Sequence, residues 1–236
     1  MSTPNPTRVT WLGHATVLFE TARGTKFLID PFIGQNPAYP KSFELPSRID
    51  AILLTHAHFD HISDALPVAA HHGSKIVAIH ELANYMAAKG AADTVGMNLG
   101  GTVHVGEVSV TMVEAKHSSS IQDEQGSHYG GVAAGFVLSV EGGATFYHAG
   151  DTAVFGDMKL IGDLYQPQVA LLPIGGHYTM GPREAALAVS LIKPRTVLPL
   201  HFGTFPPLKG TPAELSALVD VGVEIVNWKP GESFSA

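Results

Sequence analysis

Three imidazoles and one carboxylate fall within the six positions His56-Ala57-His58-Phe59-Asp60-His61, directly after the apolar run Ala51-Ile52-Leu53-Leu54. Imidazole nitrogen and carboxylate oxygen are the donors that a borderline divalent metal such as Zn²⁺ accepts. A short run of buried-type residues reads as a strand, so the donors issue from a strand's carboxyl end, where α/β proteins usually hold ligands. A solvated histidine-rich turn is the simpler reading. It does not account for a carboxylate inside the cluster, nor for the same residue types after later strands. The run ending at Ala115 leads to Lys116-His117-Ser118-Ser119. Residues 144–148 lead to Ala149-Gly150-Asp151-Thr152, and residues 196–200 lead to His201-Phe202-Gly203-Thr204. One histidine after a strand is ordinarily a cap, but three more donors at strand ends are hard to attribute to packing. Water on such a metal ionises near a pKa of about 7, so no serine or cysteine nucleophile is needed. The chain has no cysteine and no Gly-x-Ser-x-Gly elbow.

Bulk composition narrows the setting. The 236 residues show no linker-like stretch, and one domain over 1–236 is expected. Apolar residues make up 45% and charged residues 15%, which suits a packed enzyme rather than a disordered chain. Fourteen basic against twenty-one acidic residues give a net charge of −7, which argues against a nucleic-acid partner. Without cysteine, disulfides and thiolate metal sites are excluded, and any metal must be held by nitrogen and oxygen. Met1-Ser2-Thr3-Pro4-Asn5-Pro6 lacks an apolar leader core, and no apolar run approaches the roughly 20 residues of a membrane span. A soluble cytoplasmic protein without membrane insertion is expected.

The donors need elements to position them. Strands are read at residues 9–12, 15–20 and 26–29, the last two joined by the turn Thr21-Ala22-Arg23-Gly24-Thr25. Residues 31–46 carry four prolines and a glycine and read as a loop, expected to overhang the donors. Helical spacing at 63–71 stops at Gly73, a strand follows at 75–79, and a helix at 81–89 ends at Gly90. Residues 103–114 read as a hairpin turning at Gly106-Glu107, and strands at 135–140 and 144–148 are joined by Gly142-Gly143. Strands at 169–173 and 196–200 alternate with helices at 183–192 and 213–221, which start at Pro182 and at Pro212 with Thr211 as cap. A strand at 224–228 closes the chain. Each half is thus a β-rich meander followed by mixed βα, dividing near 126–131. The pattern predicts a four-layer αββα sandwich: two mixed β-sheets with helices on the outer faces.

The order His-x-His-x-Asp-His, a distant histidine, Gly-Asp-Thr and a final histidine resembles the metallo-β-lactamase superfamily over essentially the whole chain. Trp11-Leu12-Gly13-His14-Ala15, Leu28-Ile29-Asp30-Pro31, Pro173-Ile174-Gly175-Gly176 and Thr179-Met180-Gly181-Pro182 narrow it. They are similar to the small metal-dependent hydrolases related to ascorbate-6-phosphate lactonase and N-acylphosphatidylethanolamine phospholipase D. The resemblance implies two metal ions: one on His56, His58 and His117, the other on Asp60, His61 and His201, with Asp151 bridging. The chemistry agrees. Two ions roughly 3.5–4 Å apart share a hydroxide and clamp both oxygens of the reaction. A carboxylate has two oxygens for the shared position, whereas neutral imidazole has one lone pair. Zn²⁺ is the first choice, and Mn²⁺, Ni²⁺ or Fe²⁺ also suit the donor set.

Asp60 is further expected to orient the hydroxide or take up its proton. Ligands need partners behind them that fix each tautomer. Asp30, Thr55 and Thr152 are placed for this, with an Asx turn as the competing role for Asp30. His14 is read as another support or as a buried histidine on backbone, and His148 as a support of the Gly-Asp turn. His177, in Gly175-Gly176-His177-Tyr178-Thr179, is expected to meet the substrate or protonate the leaving group. The expected activity is hydrolysis of an ester-like bond in a small molecule, lactone or phosphoester ahead of amide, by a small homo-oligomer. The alternative is a non-catalytic metal-binding or sensing protein on the same fold. Structural zinc is usually closed by four protein ligands, whereas seven ligands over two ions leave positions open, which favours the enzyme.

Overall fold

The computed structural model describes residues 6–236. Its first sheet contains β1 (Arg8–Trp11), β2 (Val17–Glu20), β3 (Lys26–Ile29), β4 (Ala51–Leu53), β5 (Lys75–Ile79) and β6 (Thr94–Met97) in that order. Tight turns make β1–β3 antiparallel, and longer crossovers make β3–β6 parallel. The crossovers after β4 and β5 carry α1 (Phe59–Ile62), α2 (Ala65–His72) and α3 (His80–Ala88). The second sheet repeats the plan. β7 (Thr102–Val105), β8 (Val108–Glu114), β11 (Ala134–Val140) and β12 (Thr145–His148) are antiparallel neighbours. β13 (Val169–Pro173), β14 (Thr196–Leu200) and β15 (Glu224–Ile225) then extend it in parallel. Its crossovers carry α4 (Met158–Tyr165), α5 (Pro182–Ile192) and α6 (Pro212–Ser216). A separate hairpin, β9 (Ser120–Asp123) with β10 (Gly126–Tyr129), stands between β8 and β11. The last strand, β16 (Ser233–Ser235), returns to the first sheet beside β1.

Period-two alternation assigns each residue of the second sheet to a layer. Phe136, Leu138, Phe146, Leu171 and Leu198 point into the core shared with the first sheet, where Phe19 meets Phe146 edge-on at 4.9 Å. Val137, Tyr147, Ala170, Leu172 and Val197 point the other way, onto Met158 and Ile161 of α4 and Ala185, Ala188, Val189 and Ile192 of α5. Helices α2 and α3 cover the first sheet with Ala65, Val68, Leu82 and Met86. The αββα sandwich is present as expected. No described helix is long and apolar enough to cross a membrane.

Four expectations need correction. The sheets divide between β6 and β7, not near 126–131, which is the β9–β10 hairpin. The chain closes on β16, because β15 ends after two residues and the polar tail pairs with β1 instead. The helix read at 213–221 is the five-residue α6. Finally, the loop 31–46 lies beneath the donors rather than over them. Phe32 is buried, Asn36 Nδ2 donates to the carbonyls of Gly13 and Phe32, and the amides of Ile33 and Gly34 donate to Asp64.

The turn after β12 carries a strict backbone demand. Gly150 has φ 63°, and a Cβ there would lie 2.6 Å from the Ala134 carbonyl oxygen. A left-handed φ and a backbone clash together make Gly150→Ala destabilising by about 2 kcal/mol or more. Urea unfolding of the metal-free variant checks this.

Candidate metal centre

Every donor sits at the carboxyl end of a strand, on the same edge of the sandwich. His14 follows β1, Asp30 follows β3, His56 and His58 follow β4, His117 follows β8, Asp151 follows β12 and His201 follows β14. α1 is a single helical turn inside the donor cluster, with the His61 amide donating to the His58 carbonyl at 3.0 Å. It carries Asp60 and His61 into the cluster, with the His61 ring 4.1 Å from that of His56. Four residues are too few for apolar periodicity to reveal such a turn. The two sheets are locked together at this edge. The His14 carbonyl accepts from the His201 amide and from the Trp11 indole, and Trp11 stacks between Phe202 and Trp228.

One buried carboxylate sets the tautomers of two ligands. Asp30 Oδ1 accepts from the Thr55 amide at 2.8 Å. Its Oδ2 accepts from Thr55 Oγ1 at 2.6 Å and from His61 Nδ1 at 2.8 Å. Thr55 has one hydroxyl proton, and Asp30 takes it. The 3.0 Å contact between Thr55 Oγ1 and His56 Nδ1 therefore has the ring donating, which leaves the His56 Nε2 lone pair for the centre. His61 is set the same way. The His58 ring lies between two polar neighbours, Nε2 3.3 Å from Ser118 Oγ and Nδ1 2.9 Å from His56 Nε2. Asp30 thus lies behind His61 directly and behind His56 through Thr55. Thr152 instead bridges backbone, accepting from the Lys116 amide and donating to the Ala153 carbonyl.

The candidate donors converge in three overlapping sets: the ligand atoms of Asp30, His56 and His61 lie within 4.8 Å of one another, and so do those of two further groups, His56, His58 and His117, and His14, Asp60, His61 and His201. Asp151 stands between the groups, with Oδ2 3.7 Å from His117 Nε2, 3.4 Å from His61 Nε2 and 3.0 Å from His201 Nε2. The close approaches lack hydrogen-bond alignment: His61 Nε2, His201 Nε2 and Asp151 Oδ1 are buried without a partner. Buried polar atoms are nearly always paired. Orphaned donors of the metal-binding type, converging from several strands, fit divalent ions. His14 joins the second group beyond the expected set. Its Nε2 lies 3.0 Å from Asp60 Oδ2, and its ring is 3.9 Å from that of His201.

Electrostatics keep most of these rings neutral. Burial holds His56, His58 and His117 below the ordinary imidazole pKa. Burial, reinforced by His201, pushes His14 down to about 4 despite its bond to Asp60. His61 is the exception. Burial alone would lower it, but Asp151 and Asp30 on either side outweigh burial and raise it well above the usual value. Burial would likewise raise Asp151, yet His201 and His61 hold it well below the carboxylate range.

The backbone is unusual where the donors leave their strands. His14, Asp30 and His201 have φ of 55°, 48° and 55°, in the left-handed region that non-glycine residues seldom occupy. His148 is buried and accepts the Gly150 amide on Nδ1 at 3.2 Å, so it shapes the turn that presents Asp151. His177 is placed differently from the expectation. Gly176 and His177 both have positive φ, and the Tyr178 amide donates to the Gly176 carbonyl. This tight turn leaves His177 exposed and outside the cavity wall, with Tyr178 in the wall instead. The cavity measures about 590 Å³ and opens over His14, His58, Asp60, His117, Asp151 and His201. Phe59, Ser118, Ser120, Gln122, Phe205 and Pro207 complete it. The sequence offers Met180 and the segment 202–207 as a candidate pocket wall, and Phe205 and Pro207 are there, whereas Phe59, Ser118, Ser120 and Gln122 were passed over. Their one signal was adjacency to the donors, as with Phe59 and Ser118.

Comparison with known proteins agrees with this geometry. Residues 25–202 match the family model described as a beta-lactamase superfamily domain. A UPF0173 metal-dependent hydrolase of Koribacter versatilis is 49% identical over 228 residues, covering 97% of each chain. The chain belongs to the UPF0173 family of metal-dependent hydrolases. A UPF0173 relative from Methanosarcina mazei is 48% identical over 96% of this chain and 97% of its own. Among solved structures, the metallo hydrolase Igni18 of Ignicoccus hospitalis superposes with a TM-score of 0.83 at 35% identity, covering 98% of both chains. An isothiocyanate hydrolase from Delia radicum gut bacteria shares the fold, with a TM-score of 0.73 at 21% identity over 97% of this chain and 99% of its own.

Two outcomes are expected for this UPF0173 hydrolase. Asp30→Asn removes the charge and one of the two acceptor oxygens behind His56 and His61, and metal affinity is expected to fall about 10- to 100-fold in chelator competition. Asp151 and Asp30 raise the His61 pKa, so a proton competes with a metal for that ring and apparent metal affinity weakens as pH falls. Calorimetry in buffers of different ionisation enthalpy reads the proton count.

Proposed function

We propose that this hydrolase holds two divalent ions, Zn²⁺ first among those the donors suit, and cleaves an ester-like bond in a small molecule. His56, His58 and His117 hold one ion, Asp60, His61 and His201 the other, and Asp151 serves both. The observation that carries this reading is Asp151: one buried carboxylate within 3.7 Å of histidines from both donor groups. When bound, the ions supply a water ionised at neutral pH and positive charge opposite the developing oxyanion.

The chain's own residues do the rest. Asp30 and Thr55 keep the His56 and His61 lone pairs turned inward. Asp60 is partly open to the cavity and is steadied by the His14 Nε2–H bond, which places its carboxylate to orient the attacking water. Ser118 holds the His58 ring at the cavity floor. The aromatic side chains of Phe59, Tyr178 and Phe205 limit access of bulk water. A nitrogen- and oxygen-only donor set leaves Mn²⁺, Ni²⁺ and Fe²⁺ as competitors that elemental analysis separates.

Asp151→Ala and His58→Ala are each expected to abolish metal occupancy, read by elemental analysis. Each should also lower turnover of esters, lactones or phosphodiesters by about 10²-fold or more. Undiminished hydrolysis by metal-depleted Asp151→Ala protein would overturn the reading.

A further inference from the structure

The cavity has two walls of different chemistry. One is apolar: Phe59, Tyr178, Phe205 and Pro207. Phe59 and Tyr178 are 55% and 60% exposed, so two large aromatic side chains stand in water at the mouth of a site. Buried Phe32 backs two of the four, edge-on to Phe59 at 5.9 Å and tilted to Phe205 at 6.4 Å. Exposed aromatic surface around a cleft marks where an apolar ligand body lies. The rest of the lining away from the donors is polar but uncharged: Ser118, Ser120 and Gln122, the last steadied by a 3.0 Å bond to Ser127.

Among the described residues, no lysine or arginine lines the cavity. Lys116, beside His117 in the chain, is ion-paired to Glu114 and lies over the Phe155 ring at 6.0 Å. Sites that take phosphate or carboxylate groups usually present arginine or lysine to them. The centre itself has little positive charge to spare. On the two-ion reading, two divalent charges would be balanced by the carboxylates of Asp30, Asp60 and Asp151 together with one hydroxide.

We propose that this site takes an uncharged acyl substrate, a lactone or carboxylic ester with an apolar body, in preference to phosphoesters and to esters with anionic tails; the proposal rests on the hydrolase reading above. The step breaks the acyl C–O bond, forms a new bond from the carbonyl carbon to the oxygen of water, and returns the water's proton to the leaving oxygen. The apolar body lies along Phe59, Tyr178 and Phe205, and polar substituents meet Ser120 and Gln122.

The experiment compares substrates that share one reacting bond. With Zn²⁺-loaded protein, 4-nitrophenyl hexanoate is expected to exceed the 4-nitrophenyl monoester of adipic acid at least tenfold in kcat/KM, carried by KM. Across acetate to octanoate esters, kcat/KM rises by up to about fourfold per methylene until the wall is covered. Phe59→Ala and Tyr178→Ala alter exposed side chains, so the fold is retained and the slope flattens. Gln122→Lys narrows the gap between hexanoate and adipate. Equal or faster adipate cleavage, no slope with length, or a higher kcat/KM for bis(4-nitrophenyl) phosphate overturns the proposal. Calorimetry with alkyl-substituted γ-lactams, which resist hydrolysis, separates the two readings. Lactam affinity that rises with chain length while no ester is cleaved removes the esterase and keeps the uncharged ligand. Length-independent lactam binding removes the uncharged apolar ligand whatever is cleaved.

Discussion

The centre depends on the carboxylate of Asp30. It is fully buried, and a buried charge is costly unless hydrogen bonds surround it. Three bonds do so here, from the Thr55 amide, the Thr55 hydroxyl and His61 Nδ1. Because Thr55 has a single proton to give, satisfying Asp30 forces His56 to donate through Nδ1. One acid therefore turns a ligand lone pair inward in each donor group. Its own φ of 48° shows that the chain accepts an unfavourable backbone to place it.

That placement is possible because each sheet changes from antiparallel to parallel. The parallel strands all release their chains at one edge, so loops after β3, β4, β12 and β14 converge there from both sheets. The antiparallel parts, with their Phe19, Phe136 and Phe146 contacts, supply a rigid core behind. The bond from the His201 amide to the His14 carbonyl, backed by the Trp11 stack, joins the two sheets across the edge. The loop 31–46 serves the same end by packing Phe32 under His14, at 5.8 Å between rings.

Chemistry and recognition are divided between different parts of the fold. The strand ends hold the donors, most of them buried and fixed. The cavity walls come from other segments: the Phe59 position within the donor cluster, Ser118 and the β9 strand, the loop holding Tyr178 and the segment 205–207. A nucleophile that needs only metal and oriented water can be kept while these walls change what is bound.

Spacing and residue type were enough to name the histidines and carboxylates that converge, because strand ends announce themselves as apolar runs followed by a polar donor. Short continuous apolar runs likewise made β3, β5, β13 and β14 legible from end to end. Other features needed the tertiary structure. Whether His14 reached Asp60 or backbone depended on how β1 meets β14 across two sheets. The outward turn of His177 and inward turn of Tyr178 came from two consecutive positive φ values, which only the packed loop fixes. The position of 31–46 beneath the centre rested on Phe32 finding a buried site, and the β9–β10 hairpin on pairing between short polar strands. Donor identity is a local property of the chain, whereas the direction in which a donor or an aromatic ring points is set by neighbours distant in sequence.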